Sequence, residues 1–167
     1  GTSANQPLHV YNQLNGQPIV RFDGLASPNG DFLNIPANVI QGKTAFSFFT
    51  VFRWNGVNAW QRLWDFGSST TVNGFVTTRS SSGTPTNTPR FAITTSGSAG
   101  EQRLSFTNAL PTGSGQLVEV IWGVPNGNGW RNGGAEASGS SYSLTPNNLG
   151  TITQHYIGKS IYTADPY

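Results

Sequence analysis

The chain contains no cysteine and no methionine. Without thiols it can form no disulfide, zinc ribbon or thiolate nucleophile, and this says little about compartment. The lack of even an initiator methionine gives the expectation of a domain excised from a longer protein, with Gly1-Thr2-Ser3 readable as a cloning scar. Charge is scarce: 10% of the 167 residues are charged, against about a quarter in average globular chains. The nine Lys and Arg are scattered from Arg21 to Lys159 and the net charge is +2, so no basic stripe exists and nucleic acid is not an expected partner. No run of 18 apolar residues and no charged-then-apolar leader occurs, so no membrane insertion is expected. With His9 and His155 the only histidines, and no Gly-x-Ser-x-Gly elbow or phosphate loop, hydrolase and kinase chemistry is not indicated.

What is present is glycine and aromatic surface. The chain has 21 Gly, 10 Phe, 5 Trp and 5 Tyr, enough apolar area to fold as one domain over residues 1–167. No segment repeats apolar residues at i, i+3, i+4 and i+7, whereas period-2 or doubly apolar runs recur. Strands are predicted at Pro18 to Phe22, Phe32 to Ile35, Phe46 to Trp54, Gln61 to Phe66, Gly74 to Thr78, Arg90 to Thr94, Arg103 to Phe106, Leu117 to Val124 and His155 to Gly158. Seven Asn-Gly dipeptides, at Asn15, Asn29, Asn55, Asn73, Asn126, Asn128 and Asn132, predict tight hairpin turns. Phe46 to Trp54 is apolar on both faces, as a strand central in a covered sheet would be. The polar stretch from Ser80 to Pro89 reads as a long loop. The expected fold is all-β, a two-sheet antiparallel β-sandwich.

The ordered blocks PIVRFDG, DFLNIP, AFSFFTVFRW, WQRLWDFG, RFAITTSG, LVEVIWGVPNGNGWRNGG, LTPNNLG and HYIGKS resemble the laminin-G-like, concanavalin A-like jelly roll. The resemblance covers roughly residues 17–167 and rests on the order of many weak blocks. It implies one more strand after the turn Thr163-Ala164-Asp165-Pro166. Two readings stand side by side: a complementing strand from another polypeptide, or closure of the gap by Pro7 to Leu14. The resemblance also implies a secreted or cell-surface module that binds a glycan or surface partner, with a structural or assembly role in an adhesin as the alternative and a polysaccharide-degrading enzyme third.

The seven acids, Asp23, Asp31, Asp65, Glu101, Glu119, Glu136 and Asp165, include no i, i+2 pair of the kind glycoside hydrolysis uses along one strand. Gln154-His155-Tyr156 with Arg90 or Arg103 matches the residue types of jelly-roll lyases without the accompanying motifs, so no catalytic residue is expected. Asp23 and Asp31 are either ligands to a structural Ca²⁺, which the resemblance allows, or turn caps accepting backbone N–H bonds. Trp54, Trp64, Phe48, Phe52 and Phe66 lie in strand patterns and are expected in the core. Trp60 precedes its strand, and Trp130 with Arg131 follows a PNGNG turn. These three residues are the candidate ligand-binding set, the indoles being either platforms for a sugar ring or covers for the end of the sandwich. Lys43 and Lys159 are the only lysines, and nothing marks either for an isopeptide bond.

Overall fold

A computed structural model describes residues 5–25, 29–56, 58–82 and 84–165. The chain is a β-sandwich of antiparallel sheets. β3 (Leu33–Asn34), β12 (Gln154–Ile157), β5 (Arg62–Ser69), β6 (Val72–Thr77), β7 (Arg90–Thr94) and β8 (Gln102–Ser105) lie side by side in that order as a six-stranded sheet. β11 (Gly134–Gly139), β10 (Asn126–Arg131), β9 (Gly115–Gly123) and β4 (Ala45–Arg53) form a four-stranded sheet. β1 (Leu8–Leu14) and β2 (Gln17–Arg21) form a separate hairpin.

Period 2 decides what each strand buries. Trp64, Phe66, Val76, Phe91 and Ile93 from the six-stranded sheet meet Val118, Val120 and Trp122 of β9 in one core. Phe48 stacks on Trp64 with ring centroids 5.2 Å apart, and Trp54 packs at the rim, so the expected core aromatics are found there. The opposite face of the six-stranded sheet is buried as well, but by polar groups: Arg62, Asp65, Asn73, Thr77, Arg90 and Thr94 are all covered. Ile161 N–H donates to Asp65 and the Tyr162 hydroxyl to the Thr70 carbonyl, which ties the segment after β12 across this face.

Three sequence expectations change. Only two of the seven Asn-Gly pairs make the hairpin turns: Asn15-Gly16 (φ 50° and 76°) joins β1 to β2, and Asn132-Gly133 (φ 51° and 81°) joins β10 to β11. Asn73-Gly74, Asn126-Gly127 and Asn128-Gly129 lie inside strands. Gly74, Gly127 and Gly129 face inward, where an added Cβ would come within 2.6 Å of Phe66, 2.8 Å of Trp122 and 2.7 Å of Phe106. Absence of a side chain, not turn propensity, is what these glycines supply.

β4 is not a covered central strand. It pairs with β9 alone, and among the described residues no strand bonds its other edge. Its outward Phe49 and Val51 are 59% and 62% exposed. Leu8–Leu14 pairs with β2 and not with β4, so the N-terminal segment does not close that edge.

Candidate functional site

The outer face of the four-stranded sheet presents an aromatic and amide surface. In the β4, β9, β10, β11 ladder, Phe49 lies opposite Glu119, Glu119 opposite Trp130, and Trp130 opposite Ala135. The next row runs Ser47, Ile121, Asn128, Ser138. Trp130 is half-buried and Ile121 is 39% exposed. Trp130 and Phe49 are two strands apart, about 10 Å. An open hollow of about 410 Å³ over Ser47, Ile121, Asn126 and Asn128 adjoins a second one over Asn128, Ser138 and Ser140. Asn126 and Asn128 supply amide donors and acceptors, and Glu119 places one carboxylate in the middle of the surface.

Trp130 therefore stands inside β10, not after a turn, with its ring on the solvent side because Gly127 and Gly129 take the core side. Arg131, one residue on, pairs with Val118 and faces the other way. Its guanidinium bridges Glu136 of β11 and donates to the Ala109 carbonyl at 2.7 Å, so it braces the sheet end. Trp60 is on the far side of the sandwich. Its ring meets Phe75 edge-on at 6.4 Å, and the guanidinium carbons of Arg62 and Arg90 lie 6.0 and 5.5 Å from its centroid. The structure thus separates Trp60 from Trp130, on opposite outer faces.

Asp23 and Asp31 are brought together as reciprocal caps. Asp23 N–H donates to Asp31 Oδ2 at 3.0 Å, and Asp31 N–H and Leu25 N–H donate to Asp23 Oδ1, each at 3.1 Å. Burial and the Asp23 charge push Asp31 above its ordinary carboxylate range. Ca²⁺ takes 6–8 oxygens, and among the described residues no group of three His, Cys, Asp or Glu could hold a metal.

His155 is equally committed. Trp64 Nε1–H donates to Nε2 at 2.7 Å, and the Pro36 carbonyl oxygen, an acceptor, lies 3.1 Å from Nδ1. The proton therefore sits on Nδ1, and both ring nitrogens are occupied in the core, away from Arg90. The lyase grouping is not assembled.

Sequence reasoning passed over the densest polar cluster. Arg62 donates to Asp65 at 2.9 Å and Asp165 at 2.7 Å, and its guanidinium lies 4.2 Å from the Phe75 ring. Ser160 hydroxyl contacts reach both acids. Burial pushes Asp65 up to about 6 against the pull of Arg62. The available signal was Arg-x-x-Asp inside a strand of a chain with so few charges.

A two-sheet β-sandwich with an aromatic and amide surface on its four-stranded sheet is thus the class that fold and site define. No protein-family model and no curated protein matches the chain. Among solved structures, the CBM40 of a Ruminococcus gnavus IT-sialidase is similar. Bound to α2,3-sialyllactose it superposes with a TM-score of 0.64 at 10% identity, covering 96% of this chain and 81% of that one. Its unbound form gives 0.63 and its α2,6-sialyllactose complex 0.61, each at 10% identity and covering 96% of this chain and 82% of that one. At that identity the likeness establishes the β-sandwich fold.

Proposed function

We propose that this is a non-catalytic extracellular module that binds a glycan across the outer face of the four-stranded sheet. The observation that carries the reading is Trp130, half-buried on this face, with the Asn128 amide two residues away on the same side of β10 and Asn126 further along it. A pyranose offers one apolar C–H face and a rim of hydroxyls. The indole takes the first, and Asn, Ser and Glu groups take the second. The similar CBM40 structures, two of them bound to sialyllactose, support the class of ligand. Glu119 at the centre of this face disfavours an anionic sugar there, so the preferred ligand of this surface is neutral. The carboxylates lend no support to catalysis: Asp65 and Asp165 are held by Arg62, and Glu136 by Arg131. A glycan array probed with the chain and with Trp130→Ala tests this. Saturable binding weakened by the substitution is expected, and a blank array with folded protein would refute it.

A second reading is favoured by the free edge of β4. Nine residues with no bulge, no Pro, and Arg53 as the one charge form an unprotected edge of the kind that accepts a strand. Inward-facing Phe46, Phe48 and Phe52 are only partly buried, whereas Val118, Val120 and Trp122 on the neighbouring strand are sealed. In this reading an extended segment with apolar residues at alternate positions pairs with β4 and completes an assembly. A synthetic Val-rich strand peptide should then raise the melting temperature, and no shift at saturation would remove the idea.

A further inference from the structure

Among the described residues, the buried outer face of the six-stranded sheet holds Arg90 as a cation with no ion-paired carboxylate. Arg62 has Asp65 and Asp165, and Arg103 has Glu101 at 3.0 Å. The other acids are elsewhere: Asp23 with Asp31, Glu136 with Arg131, and Glu119 on the opposite sheet. Arg90, on β7, is 1% exposed, and among the described residues no carboxylate is ion-paired with it. Its Nη2 donates to the Ser82 carbonyl, while Nε and Nη1 have no hydrogen-bond partner among the described residues. Burial is costly for a cation, and nearby Arg103 adds like charge that the more weakly acting Glu101 offsets only in part.

Half-exposed Trp60 lies over this guanidinium, its ring centroid 5.5 Å from the guanidinium carbon. Trp60 is in the left-handed region, at φ 67°, which is rare for a bulky residue. Two bonds pin it there: its N–H donates to the Arg79 carbonyl at 2.7 Å, and its own carbonyl accepts from Arg62 Nη1 at 2.6 Å. Backbone strain of this sort concentrates at ligand sites. A strained, accessible indole thus lies over a buried guanidinium with spare donors.

We infer that Trp60 and Arg90 form a second subsite, separate from the Trp130 face, for a sugar that carries a carboxylate. Rotation of the indole uncovers Arg90. The carboxylate accepts from the guanidinium N–H groups, supplying Arg90 with a direct counter-charge, and the indole closes on the apolar face of the ring.

The test uses ¹⁵N-labelled protein and the Arg90 Nε–H resonance, which reports the donor itself and not the stability of the fold. Sodium glucuronate should shift it saturably, and methyl glucoside should leave it in place. Sodium acetate should act at least about tenfold more weakly, because it lacks the ring that the indole stacks on. Trp60→Ala, whose fold is checked in the same spectrum, should weaken glucuronate by about tenfold, while Trp130→Ala should not change it. A resonance unmoved by saturating glucuronate overturns the subsite. Equal shifts with acetate, or no effect of Trp60→Ala, overturn the sugar-stacking assignment. Because Trp130→Ala separates the faces, failure here leaves the neutral-glycan reading to its own test.

Discussion

Trp64 and His155, 91 residues apart in sequence, share a hydrogen bond of 2.7 Å in the centre of the sandwich. The bond exists only while His155 is neutral, because a protonated Nε2 has no lone pair to accept with. Burial holds its titration below the ordinary imidazole range despite the Pro36 carbonyl.

This fixes a pH dependence. As pH falls below about 6.5 the unfolded chain takes up a proton that the native chain refuses. The His155 contribution is therefore fully present above that pH and lost as pH falls toward the depressed native value. Stability of the protein minus that of His155→Gln, from urea melts, should decline between pH 6.5 and 5. A flat difference would mean His155 titrates alike in both states.

Asp65 works with the opposite sign. Its native value, pushed up to about 6, exceeds the unfolded one, so its proton-linked stability is present at low pH and lost as pH rises through about 6. Asp65→Asn should remove this component, visible as a changed slope between pH 4 and 6 in the same melts.

Removing the carboxylate altogether leaves Arg62 partly unpaired. Asp65→Ala should cost about 3–5 kcal/mol, as when one partner of a buried pair is deleted. Asp165→Ala should cost less, because Asp165 is 19% exposed and Arg62 keeps Asp65. Equal losses would contradict this ranking.

The inward glycines of β10 should resist any side chain. Gly129→Ala drives a methyl into the Phe106 ring and should destabilise by about 1–3 kcal/mol. A variant as stable as the parent would show that the ring has room to shift.

Hydrogen exchange should expose the free edge. Amides of β4 bonded to β9 should be protected, and the alternate ones facing away should exchange quickly, giving a period-2 pattern along Ala45–Arg53. Uniform protection would mean a further strand is already bound.

The two-sheet sandwich was legible because Phe66, Phe91, Val120 and Trp122 obey period 2 without ambiguity. β10 and β11 were not legible, because a strand such as Asn126–Arg131 whose inward residues are glycine shows no apolar alternation. Trp130 was placed after a turn, and not inside β10, for the same reason. β4 was read as central because Phe49 and Val51, apolar yet exposed, imitate burial on both faces. Trp60 and Trp130 looked like one set because a sequence does not show that the intervening strands put them on opposite sides. The contacts of Arg62 with Asp165 and of Arg90 with Trp60 were invisible because they join segments far apart in the sequence.

The measurement closest to the central claim is a chemical-shift map of the folded chain titrated with neutral oligosaccharides active on an array. Saturable shifts confined to the Trp130 indole, Asn126 and Asn128, lost in Trp130→Ala, are the predicted result. Saturable shifts located elsewhere, with the Trp130 indole unmoved, would contradict the assignment of that face as the glycan platform.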